Sequence, residues 1–131
     1  MKIYETFNPG SCVKVSARNP DFEWITLWSG EKQENNKSAI INELELKEVE
    51  FLVDEFRLEL DCKTNESYYE IDAIQLIGHD NVELSLLKKE ESNISQWSTK
   101  AKASTYYVGY PPKNTAGKPT TYPAYGDLRT A

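Results

Sequence analysis

The stretch Phe56-Arg57-Leu58-Glu59-Leu60-Asp61-Cys62 decides the fold class. Phe56, Leu58, Leu60 and Cys62 alternate strictly with charged residues, the period of a strand with one face buried. Without it, the run from Glu43 to Arg57, rich in Glu, Leu and Lys, reads as helix on propensity. Working outward, the same short, turn-punctuated pattern recurs. Ile3 to Phe7 alternates and stops at Asn8-Pro9-Gly10, where proline presets φ and glycine supplies φ > 0. Cys12 to Arg18 alternates at period two, which assigns Cys12, Lys14 and Ser16 to one face and Val13, Val15 and Ala17 to the other. Asn19-Pro20-Asp21 is a turn, and Glu23 to Trp28 is a third strand.

Further strands are expected at Ile40–Leu46, Val49–Val53, Tyr69–Gly78 and Val82–Leu86, with polar loops at residues 31–38 and 63–67. In Tyr69–Gly78, Ile71, Ala73 and Gln75 take one face and Asp72, Ile74 and Leu76 the other. Many short strands between turns specify an all-β chain, a β-sandwich or jelly roll.

Composition narrows the function classes. A chain of 131 residues has room for one domain. Three Trp, eight Tyr and four Phe are too many aromatics for a disordered segment. A formal charge of −6 disfavours nucleic acid, whose phosphates want a basic face. No run of 18 apolar residues is present, so no membrane insertion is expected. The N-terminal residues lack the apolar stretch of a signal peptide, which favours an intracellular location.

Charge also divides the chain. Residues 96–131 hold Lys100, Lys102, Lys113, Lys118 and Arg129 against Asp127 alone, leaving residues 1–95 at −10. Four of six prolines and five of eight tyrosines fall in that last stretch. The expected organisation is a β-sandwich body over residues 1–90 and an irregular, basic, Tyr/Pro-rich extension over 91–131. That extension packs either on its own body or on a partner.

Catalysis has little to work with. His79, the sole histidine, lies in Gly78-His79-Asp80-Asn81, a turn after a strand. Cys12 and Cys62 are read as two buried, reduced thiols, with a disulfide the alternative. No cofactor is expected, although oxygen ligands are abundant enough for a structural calcium near a loop. Trp24 and Trp28, an even spacing apart, are assigned to one strand face as core aromatics rather than a sugar platform. The sequons at Asn36, Asn65 and Asn93 are read as chance triplets in polar chain.

Four blocks carry a family resemblance. Ile3-Tyr4-Glu5-Thr6-Phe7-Asn8-Pro9-Gly10-Ser11-Cys12-Val13-Lys14-Val15 and Trp24-Ile25-Thr26-Leu27-Trp28-Ser29-Gly30 open it, and Phe56–Leu60 and Tyr68–Gly78 follow in order. Together, over residues 2–78, they resemble a discoidin-like, galactose-binding-like jelly roll. That version stands at the N-terminus of the mitochondrial F-box/leucine-rich-repeat ubiquitin-ligase protein and recurs in microbial and algal repeat proteins. Neither an F-box nor leucine-rich repeats occur here. Ser95-Gln96-Trp97-Ser98, Gly109-Tyr110-Pro111-Pro112 and Thr121–Asp127 resemble the opening of the same domain, displaced to the end. A circular permutation, a segment that completes a neighbouring copy, and an excised piece of a longer protein all accommodate this phase.

The resemblance implies a non-catalytic protein-interaction or assembly module, with a carbohydrate-binding module as the alternative. A protein partner or self-association is expected, with a glycan in the second case. Candidate partner-binding residues are Trp97, Tyr106, Tyr107, Tyr110, Tyr122 and Tyr125, in irregular chain that must pack on something. Candidate ligand residues at loop ends are Glu5, Asn8, Glu70 and Asp72.

Overall fold

The computed structural model describes residues 1–33, 39–63, 68–78, 94–105 and 111–119. Seven strands appear in chain order: β1 (Lys2–Phe7), β2 (Cys12–Arg18), β3 (Trp24–Ser29), β4 (Ile40–Glu43), β5 (Phe56–Leu60), β6 (Glu70–Gly78) and β7 (Ile94–Trp97). A single 3-10 turn follows at Pro112–Thr115, and no α-helix occurs among the described residues. All strand pairs are antiparallel, forming a four-stranded sheet in the order β4-β1-β6-β7 and a three-stranded sheet in the order β3-β2-β5. The all-β, two-sheet sandwich expected from the alternating pattern is what the chain adopts.

The core lies between the sheets. Ile3 of β1 and Cys12 and Val15 of β2 are buried with Met1 and Leu44. Trp28, Leu46, Phe56, Leu58, Leu60, Ile71, Ile74 and Leu76 pack around them. Fully burying a side chain such as Ile3 or Val15 contributes about 1.5–3 kcal/mol. The Phe56–Leu58–Leu60 stripe faces the core, as its alternation requires.

Four β-bulges change which residues face inward. In β2, Cys12 pairs with Leu60 and Lys14 with Glu59, so Val13 is extra and Cys12 shares the core with Val15. This corrects the assignment of Cys12 to the face opposite Val15. In β3, Val15 pairs with Trp28 and Ser16 with Thr26, leaving Leu27 unpaired. Trp28 therefore enters the core, whereas Trp24 lies on the outer face beside Arg18 and Arg57. The two tryptophans are not on one face. In β6, Tyr4 pairs with Ala73 and Glu5 with Ile71, so Asp72 is extra. Ile71, Ile74 and Leu76 consequently all reach the core, against the expected separation of Ile71 from the other two. The fourth bulge is at Thr6 of β1, between the pairs Glu5–Ile71 and Phe7–Glu70.

Two further expectations are corrected. Val49–Val53 is not a strand, because β4 ends at Glu43 and irregular chain runs to β5. Its peptide groups join no ladder there; instead, Lys47 N donates to Leu27 O at the near end and Arg18 N to Glu55 O at the far end. The extension is not irregular throughout either, since β7 pairs with β6 of the same chain. Ser98 N then donates to Ile74 O (3.0 Å) and Gly117 N to Ser98 O (2.8 Å), which lays the 3-10 turn against β6. Val82–Leu86 and His79 lie outside the described residues.

Candidate functional site

The strands run between two ends of the sandwich, and each end carries side chains the core does not use. At the first end, the β1–β2 turn meets residues 30–33 and the approach to β6. Glu5 is 2% exposed. Both of its carboxylate oxygens stand 3.2 Å from Gly10 N, which donates to them. The Ser11 N–H and the Asn42 side chain also donate to it, yet burial dominates and holds its carboxyl above the usual range. Gly10 has φ +90°, and a Cβ there would come within 2.5 Å of Gln33 O. Only glycine fits that turn.

Asn8, at φ 48°, donates from Nδ2 to Tyr68 O (2.7 Å). Phe7 and Tyr68 stack with centroids 4.6 Å apart and an interplanar angle of 17°, at 39% and 49% exposure. Beside them Lys32 Nζ donates to the Tyr69 hydroxyl (2.9 Å), which in turn donates to Asp61 O (2.7 Å).

Among the loop-end candidates, Asn8 and Glu70 come together, since Glu70 pairs with Phe7 across the sheet. Glu5 lies beneath them as a buried anchor of the turn, and Asp72 is the half-buried extra residue of the β6 bulge. Among the described residues, no three His, Cys, Asp or Glu side chains gather where they could hold a metal ion. Cys12 and Cys62 are both free thiols, but Cys62 is exposed, which corrects the expectation of two buried ones. Cys62 follows the last paired residue of β5, past the sheet that covers Cys12. Burial pushes the Cys12 thiol up to about 11.

Trp97 packs on its own chain, its ring 5.3 Å from that of Tyr4 and tilted by 52°. Burial raises the Tyr4 phenol above its ordinary range. Tyr106, Tyr107, Tyr110, Tyr122 and Tyr125 lie outside the described residues, as do the sequons at Asn36, Asn65 and Asn93.

The second end is the one sequence reasoning missed. The β2–β3 turn is closed by Asn19 N donating to Glu23 O (2.9 Å) and by Glu23 N donating to Asn19 Oδ1 (2.8 Å). Within it, Phe22 N donates to Asn19 O, and Phe22 itself stands at φ 63°. A short hairpin loop of this shape puts a left-handed residue last, the place glycine or asparagine usually takes. A phenylalanine there is a conformational outlier that costs on the order of 1–3 kcal/mol. Its side chain is 74% exposed, so burial does not offset the strain.

Phe22 begins a row of stacked groups. The Arg18 guanidinium lies 5.2 Å from the Phe22 ring centre and 5.7 Å from that of Trp24, and the Arg57 guanidinium covers Trp24 at 4.5 Å. Arg18 and Phe22 of this row line an open groove of about 360 Å³ together with Asn19, Pro20, Leu52, Val53 and Asp54, and Leu52 is 63% exposed. The signal in the sequence was an aromatic residue where the hairpin turn asks for glycine or asparagine.

No family model, curated protein or solved structure matches the chain. The likeness to discoidin-like domains rests on the residues quoted for it. Among the described residues, no helix is long and apolar enough to cross a membrane.

Proposed function

We propose that this chain is a non-catalytic protein-interaction module on a discoidin-like, galactose-binding-like jelly roll, and that it binds through the Phe22 end of the sandwich. Phe22 carries the reading: a bulky apolar side chain, mostly in solvent, held there by a strained backbone. An arrangement that costs the fold stability and adds little packing is understandable when the side chain is presented outward. Arginine, tryptophan and phenylalanine, grouped beside a groove, are the residue types that dominate the centres of protein interfaces. The order of the strand blocks along residues 2–78 supports the jelly-roll assignment, and the two antiparallel sheets agree with it.

The test is selection of a displayed random-peptide library on the immobilised chain, repeated on Phe22→Asp. Peptides enriched on the native chain and lost on the variant are expected. Enrichment that ignores the variant, or none, overturns the reading.

A carbohydrate-binding reading has one observation in its favour, the exposed Phe7–Tyr68 stack beside Asn8. Aromatic faces next to polar groups suit sugar rings. Glycan binding that disappears in Phe7→Ala and survives in Phe22→Asp would favour it.

A further inference from the structure

We infer that the groove between Phe22 and Leu52 receives a basic polypeptide segment that inserts an apolar side chain; this inference rests on the protein-binding reading above. The walls supply the apolar half of the match. Phe22 and Leu52 are the two most exposed large hydrophobic side chains among the described residues, and Pro20 and Val53 line the groove with them.

Charge supplies the other half. The segments bounding the groove, residues 19–23 and 48–55, contain Asp21, Glu23, Glu48, Glu50, Asp54 and Glu55, against the single basic residue that precedes each segment, Arg18 and Lys47. All six acidic residues are exposed. Arg18 is itself a wall of the groove and Arg57 stands nearby, but both guanidiniums are already engaged. Arg18 Nη1 donates to Glu55 Oε2 (3.2 Å), and Arg57 Nη2 is 3.6 Å from Glu59 Oε1. Each also stands over the Trp24 ring, 5.7 Å and 4.5 Å from its centre. That pairing removes Glu55 from the rim and leaves Asp21, Glu23, Glu48, Glu50 and Asp54 in no ion pair among the described residues. The field at the groove mouth is therefore negative. An incoming acidic segment is repelled, and a basic one is drawn in before its apolar side chain docks.

A direct test uses two short synthetic peptides with the same central tryptophan and leucine, one flanked by lysines and the other by glutamates. Their binding to the full chain is read by fluorescence polarisation. The lysine peptide is expected to bind about tenfold or more tightly than the glutamate peptide at low ionic strength, with the gap closing as salt screens the rim. The triple variant Asp21→Asn, Glu50→Gln, Asp54→Asn, with an unchanged circular dichroism spectrum, should shrink that gap. Phe22→Ala should weaken both peptides.

Equal binding of the two peptides, lost in Phe22→Ala, overturns the basic partner and leaves the interaction module standing. Lysine-peptide binding that ignores both variants shows only general attraction to an acidic body and overturns the inference. Absence of binding by either peptide also overturns it, whereas the library selection independently decides the broader reading.

Discussion

The two ends of this sandwich each place a residue at positive φ in a tight turn, and they treat it in opposite ways. At the first end the position is Gly10, wedged under Gln33 with a carboxylate beneath it. At the second it is Phe22, projecting into solvent. One turn is built to hold the fold, and the other spends conformational energy on display. The comparison teaches how to separate a structural turn from a functional one: ask whether the residue best suited to the backbone is the residue present.

Substitutions can break or sharpen that contrast. The largest effect is expected for Gly10→Ala, where the new methyl meets Gln33 O in a left-handed backbone. A loss of about 3 kcal/mol or more should appear in denaturant unfolding. A loss below 1 kcal/mol would mean the first turn is as permissive as the second. Glu5→Ala comes next, because it leaves the buried Gly10 and Ser11 N–H groups without their acceptor. About 2–3 kcal/mol should be lost.

Glu5 also makes a prediction about pH. Its carboxyl is held above its unfolded value, so the folded state retains the proton longer. The stability this group contributes is complete below the ordinary glutamate range and is lost as pH rises through its elevated folded value. Glu5→Gln should flatten that part of the stability–pH curve. An unchanged slope would show that Glu5 does not titrate with the fold.

At the second end the sign reverses. Phe22→Gly should leave the melting temperature unchanged or raise it by a few degrees, since relief of about 1 kcal/mol of strain offsets the lost stacking on Arg18. A clear fall would mean Phe22 supports the fold, and the contrast between the ends would collapse. Arg57→Ala, which uncovers Trp24, should cost about 0.5–1 kcal/mol. Thiol chemistry adds a check that does not depend on stability. Alkylation of the native chain should modify Cys62 and spare Cys12 until the chain unfolds, read by peptide mass.

Much of the fold was legible from alternation. The Phe56–Leu60 stripe, the turns at Asn8-Pro9-Gly10 and Asn19-Pro20-Asp21, and the first three strands all stand where the pattern put them. The errors have one main physical source. Period-two reasoning assumes one residue opposite one, and the bulges at Val13, Leu27 and Asp72 break that count. Trp24 was therefore assigned beside Trp28, and Ile71 away from Ile74. Val49–Val53 has strand composition but forms no ladder with a neighbouring strand. The site was less legible. Asn8 and Glu70 were recognised as loop-end residues, but the Phe22–Arg18–Trp24–Arg57 stack joins residues separated by a turn and two strands. No local pattern announces it.

The bulge at Leu27 has a consequence for descent. A chain that had lost that single residue would match this one almost letter for letter, and its straightened strand, with Trp24 three places from Trp28, would still hold the two rings on opposite faces. One residue gained by β2 opposite Leu27 would instead set Trp24 four paired places from Trp28, on the same side, and the outward tryptophan between two guanidiniums would vanish without any substitution in the residues that form it. In this molecule the identity of the exposed face is written in the difference between two residue counts, and one letter added to the facing strand can rewrite it.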